Sequence, residues 1–358
     1  MDNKTTYHEQ AVIDNTLRLK EILRTLPDFC KDYFRAIGST TSVRTRISYA
    51  YDIRIFFQYL LDENPLFRGK QMKDFSIDVL DQIKAVDLEE YMEYLKVYKK
   101  GDRTETNGER GLKRKIVSLR SFYAYYFKHE QITTNPSVLI DVPKIHDKSI
   151  IRLDTDEVAL LLDFIEHGGD SLTGQKKVYY EKTKERDLAL ITLLLGTGIR
   201  VSECVGLDVE DVDFKNDGIK VTRKGGNEMI VYFGDEVREA LLRYLEVREG
   251  ITPLAGHEHA LFYSTQRRRI GVQAVENLVK KYAREVTTTK KITPHKLRST
   301  YGTALYQETG DIYLVADVLG HRDVNTTKKH YAAMDDYRRR QAASAVRLRE
   351  EEAQKPEE

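Results

Sequence analysis

Long apolar runs and cysteines are what this chain most lacks. No run of about 18 apolar residues occurs, which excludes a membrane-spanning helix. The start, Met1-Asp2-Asn3-Lys4, leads into no apolar stretch of the kind that makes a secretory signal. Cys30 and Cys204 are too few for a disulfide framework or for a structural zinc site built from cysteine alone. They fit a reducing cytosol, as thiols that serve packing, so the expected location is cytoplasmic. Net charge is nearly absent too: 58 basic residues face 57 acidic ones, leaving +1. No Asp/Glu/His cluster has metal-ligand spacing, and no Gly-x-x-x-x-Gly-Lys-Ser/Thr loop occurs. No cofactor and no metal are therefore expected.

What is present is a globular composition, 32% charged and 41% apolar, in 358 residues, enough for two domains or one large one. A balanced total can still hide a basic surface, because a polyanion responds to local clustering. Residues 110–120 hold five basic side chains and no acid; Arg267-Arg268-Arg269 and Arg338-Arg339-Arg340 are further clusters, and acid gathers in 350–358.

Periodicity makes the first 140 residues all-helical. Val12, Leu19, Ile22, Leu23 and Leu26 share one face of a helix over 7–26, and a second runs to Gly38. Ser42 opens a third, with Val43, Ile47 and Tyr51 on one stripe and Arg44, Arg46 and Arg54 elsewhere. Asp87 is the expected cap of a helix over 88–97, and 101–108 reads as a polar loop. Leu112, Ile116, Leu119, Tyr123 and Tyr126 recur at 4-3-4-3 spacing, which leaves Lys113, Arg114, Lys115 and Arg120 for the other face. Two cationic helix faces of this kind suit DNA contact; ordinary solvated faces look the same.

Asn135-Pro136 closes that region, and 141–152 reads as a linker. Asp154 followed by Glu157 resembles a capping box. Residues 170–184 are polar and read as a loop, whereas 188–195 are apolar enough for a buried helix that stops at Gly196-Thr197-Gly198, just before Arg200. Alternation on both sides of Lys224-Gly225-Gly226 predicts a β-hairpin over 218–233 with Lys224 at its tip. Helices follow over 236–249, with Leu241, Leu242 and Leu245 inside, and over 272–286. Thr293-Pro294 is a helix start, Thr293 as cap and Pro294 at the first position. His295 and Arg298 then share one face of the first turn, and Gly320 is a helix stop just before His321. Arginines and histidines at a helix start suit a phosphate.

Taken in order, Gly198-Ile199-Arg200-Val201-Ser202-Glu203, Arg223-Lys224-Gly225-Gly226, His295-Lys296-Leu297-Arg298, Leu319-Gly320-His321 and Tyr331 resemble the tyrosine recombinase (phage integrase-like) family. The likeness is strongest to Xer-type members of the single-recombinase variety, through Lys184-Glu185-Arg186-Asp187-Leu188-Ala189 and the hairpin text. The resemblance implies a mainly α fold with a small antiparallel β-hairpin or sheet, in two domains. These are a helical core-binding domain (1–140) and a mixed α/β catalytic domain (153–334), closing on duplex DNA as a clamp. A protomer-docking helix (335–349) and the acidic tail (350–358) follow.

The resemblance implies that Tyr331 attacks the scissile phosphate to give a 3′-phosphotyrosyl bond. Arg200 and Arg298 hold the non-bridging oxygens, Lys224 protonates the leaving 5′-oxygen, His295 and His321 assist, and Glu203 orients the site. It further implies a homotetramer on two duplexes, no ATP, an accessory or DNA translocase protein as partner, and no membrane association. Resolution of chromosome dimers at a dif-type site is the expected role. Tyr331 stands ten residues after His321, one more than is usual in Xer members, and Ala332-Ala333 follows it. Those departures leave integration or excision of a mobile element as the alternative. A non-catalytic DNA-binding architectural or regulatory protein is the alternative of a different class, against which the intact residue set argues.

Overall fold

Local stop and start signals set most element boundaries. The computed structural model describes residues 6–146, 150–223, 226–321, 323–325 and 327, and the chain divides into two units between 148 and 149.

In the first unit, α1 (Tyr7–Leu23) starts at Thr6, whose hydroxyl accepts the Glu9 N–H while the Glu9 carboxylate accepts the Thr6 N–H. α2 (Cys30–Ala36) and α3 (Val43–Glu63) follow, the latter capped by Ser42 as its sequence indicates. A short α4 (Val79–Gln82) leads to α5 (Ala85–Tyr94). Asp87 is not the cap of α5. It lies in the first turn and accepts the Lys84 N–H at 2.7 Å. The all-helical expectation is also corrected: β1 (Val97–Lys100) and β2 (Arg103–Thr106) pair antiparallel across Gly101, whose φ of +59° suits the turn. α6 (Glu109–Lys128) completes the unit. Its core is aromatic: Tyr33, Phe56, Phe57, Tyr91, Phe122, Tyr123 and Tyr126 are all fully buried. Edge-to-face pairs such as Tyr33–Phe122 and Phe122–Tyr126 fill it. The buried hydroxyls still find partners, Tyr33 at Ser121 Oγ (2.9 Å) and Tyr126 at the Phe29 carbonyl (2.7 Å). Val12 is exposed, so the buried face of α1 is carried by Leu19 and Ile22.

The second unit begins with α7 (Thr155–His167), where Glu157 accepts the Asp154 N–H at 2.8 Å. α8 (Gly174–Thr197) absorbs most of the stretch expected to be a loop. Its polar first half is helical because Tyr180 and Thr183 bury on the same rod that the buried run Leu188–Leu194 continues. α9 (Val201–Cys204) follows within four residues. β3 (Val212–Asp213), β4 (Gly218–Thr222) and β5 (Glu228–Tyr232) form a three-stranded antiparallel sheet in the order 3-4-5, so the expected hairpin carries one further short strand. α10 (Asp235–Glu249), α11 (Val272–Val286), α12 (Pro294–Thr309) and α13 (Ile312–Leu319) complete it. On α10, Leu241 is inside but Leu242 is exposed.

One buried ion pair sits in this core. Asp187 Oδ1 accepts Nε (2.9 Å) and Nη2 (2.6 Å) of Arg186, and Asp187 Oδ2 accepts the Tyr282 hydroxyl at 3.0 Å. Arg186 also donates to the Tyr263 carbonyl. Breaking such a pair strands a buried charge, so Asp187→Ala is expected to cost about 3–5 kcal/mol. Urea unfolding would read this as a lower midpoint; an unchanged midpoint would show that the pair does not hold the core.

Candidate active site

Glycines bring the site together. α8 ends on Gly198 with φ +61°, and a side chain there would place Cβ 2.4 Å from Tyr301 of α12 and 3.0 Å from Leu319 of α13. Only a residue without Cβ lets these three elements meet so closely while taking a left-handed turn. α13 ends the same way on Gly320, φ +60°. Arg200 is therefore delivered to the end of α13, and Arg298, in the first turns of α12, reaches it from the other side.

Arg298 is 5% exposed and donates to the Gly198 and Leu319 carbonyls. Arg200 approaches the Gly320 carbonyl, Nη2 to O 3.4 Å. Glu203 is buried and fixes Arg200 twice, accepting its backbone N–H at 2.8 Å and its guanidinium at 2.7 Å. The carbonyl end of a helix carries partial negative charge, which suits the cations gathered there. His321 continues from Gly320; its N–H bonds the Ala316 carbonyl at 2.8 Å, and its Nδ1 lies 2.7 Å from the hydroxyl of fully buried Thr327. Thr327 thus orients the ring, a partner that sequence spacing did not single out.

The structure thus brings Arg200, Glu203, Arg298 and the Gly320-His321 segment together. His295 lies exposed on the first turn of α12, three residues before Arg298. The helix starts after Thr293 with Pro294 at its first position, but the Thr293 side chain makes no capping hydrogen bond. Lys224 and Tyr331 lie outside the described residues, as do the expected docking helix and acidic tail.

The basic residues of the first unit divide. Arg44 and Lys113 are exposed, Arg46 is half-buried, and Arg54 lies over the Tyr51 ring at 4.9 Å. Arg114 pairs with buried Asp52. Two expected DNA contacts need correction. Lys115 is 5% exposed and donates to Asn107 Oδ1 at 2.7 Å, because α6 turns it inward toward the foot of the β1–β2 hairpin. Arg120 serves as a clasp on the Ser137 and Ile140 carbonyls.

Burial raises the Asp52 carboxyl to about 6, against the pull of Arg114 and Lys115. The folded chain therefore binds this proton more tightly than the unfolded chain, where an aspartate titrates near ~4. Its contribution to stability is complete below about pH 4 and is lost as pH rises through about 6. Asp52→Asn should remove that slope from urea unfolding measured between those pH values; a variant with the wild-type slope would place its origin elsewhere.

Anchored guanidinium forks match a phosphate in geometry and never lose their charge. With a carboxylate and a histidine held beside them, they form a cluster whose geometry and charge suit an anion such as a phosphate. Residues 152–338 match the phage integrase family. The tyrosine recombinase XerC of Caldanaerobacter subterraneus is 34% identical over 332 residues, covering 89% of this chain and 86% of that protein. The tyrosine recombinase XerS of Streptococcus uberis is 28% identical over 342 residues, covering 89% and 95%. Among solved structures, the fold is shared with XerH site-specific recombinase bound to palindromic difH substrate (TM-score 0.60, 20% identity, 84% of this chain and 79% of that one). It is also shared with the Tn1549 transposon integrase in complex with circular intermediate DNA (TM-score 0.62, 22% identity, 89% and 99%). The chain belongs to the phage integrase family. It is a tyrosine recombinase, an enzyme of site-specific recombination that cuts and rejoins DNA. Among the described residues no helix is long and apolar enough to cross a membrane.

Proposed function

We propose that this recombinase cleaves one strand at a time through Tyr331, whose Oη bonds to the scissile phosphorus as the P–O5′ bond breaks. Arg200 and Arg298 hold the non-bridging oxygens, and Lys224 delivers a proton to the departing 5′-oxygen. His295 takes the Tyr331 proton or orients the phosphate, His321 donates a hydrogen bond to the developing charge, and Glu203 fixes Arg200. Preorganised donors of this kind stabilise a pentavalent phosphoryl transition state without reorganising at the moment of reaction. The phosphodiester energy is kept in the 3′-phosphotyrosyl bond, so rejoining needs only the attack of a 5′-hydroxyl. The observation that carries this reading is the convergence of Arg200 and Arg298 on the last carbonyls of α13, immediately before His321.

The first unit is the core-binding part of a DNA clamp, contacting the duplex through Arg44, Arg46, Arg54, Lys113 and Arg114. Four protomers assemble on two duplexes in the cytoplasm, and an accessory or translocase protein controls them. Resolution of chromosome dimers at a dif-type site is the role that the XerC and XerS relatives support. The ten-residue step from His321 to Tyr331 favours a second reading, recombination at the ends of a mobile element.

A substrate nicked next to the cleavage point traps the intermediate, because the short 5′-hydroxyl fragment diffuses away. Protein–DNA adducts that survive denaturant and disappear with protease are expected on a chromosomal palindrome with half-sites about one helical turn apart. Adducts formed only on element ends would select the second reading, and none on any site would overturn both.

A further inference from the structure

Arg223 follows strand β4, one residue before Lys224, and its side chain does not point to solvent as a turn residue's would. Its Nη2 donates to the Val318 carbonyl at 2.8 Å, and Nη1 lies 3.5 Å from the Asp317 carbonyl. It fills the space over Gly320: a Cβ there would sit 1.3 Å from Arg223 Nη1. The backbone on either side of the hairpin tip is also fixed, Arg223 N–H to the Asn227 carbonyl (2.8 Å) and Gly226 N–H to the Arg223 carbonyl (3.0 Å). Three guanidiniums, from Arg200, Arg223 and Arg298, thus share four consecutive carbonyls, Asp317 to Gly320, at the end of α13. The Arg223 guanidinium is held below its usual range, chiefly by burial, with Glu203 opposing and Arg200 adding to the effect.

We propose that Arg223 is a positioning residue for strand cleavage: it pins the start of the turn that carries Lys224 to the end of the helix that carries His321. The inference rests on the reading of Lys224 as the proton donor. In that step Tyr331 Oη gives its proton to His295 and bonds to phosphorus, the P–O5′ pair leaves with the 5′-oxygen, and the Lys224 ammonium supplies that oxygen's proton; rejoining runs the same step backward. A donor must lie within hydrogen-bond reach of the leaving oxygen to act. Arg223 sets that reach through a main-chain anchor and touches no reacting atom itself.

The test compares full-length protein on two nicked duplexes, one with the normal P–O5′ linkage and one with sulfur in that bridging position. A thiolate leaves without being protonated, so a defect in proton delivery vanishes on sulfur. Arg223→Ala is expected to cleave the oxygen substrate at least ~10-fold slower than wild type, within the range of a misplaced general acid, and to recover on sulfur. Lys224→Ala should behave the same way, whereas Arg298→Ala should stay slow on both. Arg223→Lys keeps the charge and loses the fork, so a smaller defect that sulfur also repairs is expected. It serves if the alanine variant no longer binds duplex DNA. Equal slowing of the Arg223 variants on both linkages, or wild-type rates on oxygen, would overturn the inference alone. Failure of sulfur to repair Lys224→Ala would remove Lys224 as the donor and take this inference with it. Absence of any wild-type adduct would instead strike at the proposed cleavage chemistry.

Discussion

Tyr331→Phe is expected to bind target DNA as wild type does and to form no covalent adduct at all. The substitution removes one oxygen, and that oxygen is the proposed nucleophile; without it no phosphotyrosyl bond can form. Binding draws on phosphate contacts spread over the duplex, each of which releases counterions, so losing one hydroxyl leaves affinity and its salt dependence nearly unchanged. Denaturing gels on the nicked substrate and mobility shifts on an intact site read the two effects separately. An adduct retained by the phenylalanine variant would mean that another side chain attacks, with His330 and Tyr337 the nearest candidates in sequence.

Arg298→Ala is expected to show a compound loss. Removing one preorganised donor from a transition state costs on the order of 10²–10³-fold in rate, and a guanidinium supplies charge as well as geometry. The structure adds a second consequence, because Arg298 also satisfies the carbonyls of Gly198 and Leu319, both buried residues. Each buried carbonyl left unmet costs about 1–3 kcal/mol, so a lower urea midpoint should accompany lost cleavage. Arg298→Lys should restore part of the stability and little of the rate, since an ammonium cannot span two acceptors as a planar fork does. Single-turnover cleavage at the wild-type rate by the alanine variant would remove Arg298 from the site.

Much of this arrangement was legible in the sequence because it depends on local chemistry. Ser42 announces α3 through a hydroxyl that meets the next turn. Pro294 announces α12, and Gly198 and Gly320 announce helix ends because only glycine takes those turns cheaply. The order of the motifs was sufficient to name the family. What could not be read depended on partners distant in the chain. The β1–β2 hairpin buries little, so its residues carry no apolar alternation to betray it. The first half of α8 is charged on most sides and is helical because it continues a buried rod. Lys115 is a charged residue on the buried side of α6, held there by Asn107 and Asp52. Arg223 passed as part of a matching phrase; its grip on α13, more than 90 residues onward, is visible only in three dimensions.

Glu203 ties Arg200 at both ends, by its main-chain N–H and by its guanidinium, with one carboxylate. Timing follows from this. Freezing an arginine side chain forfeits up to about 2 kcal/mol of rotamer entropy, and here that loss falls at folding, before any DNA arrives. A phosphate entering the site meets a receptor that has already stopped moving. Under the proposed mechanism, a recombinase that holds Arg200 ready in advance must place the decision of when to cut on something other than that arginine.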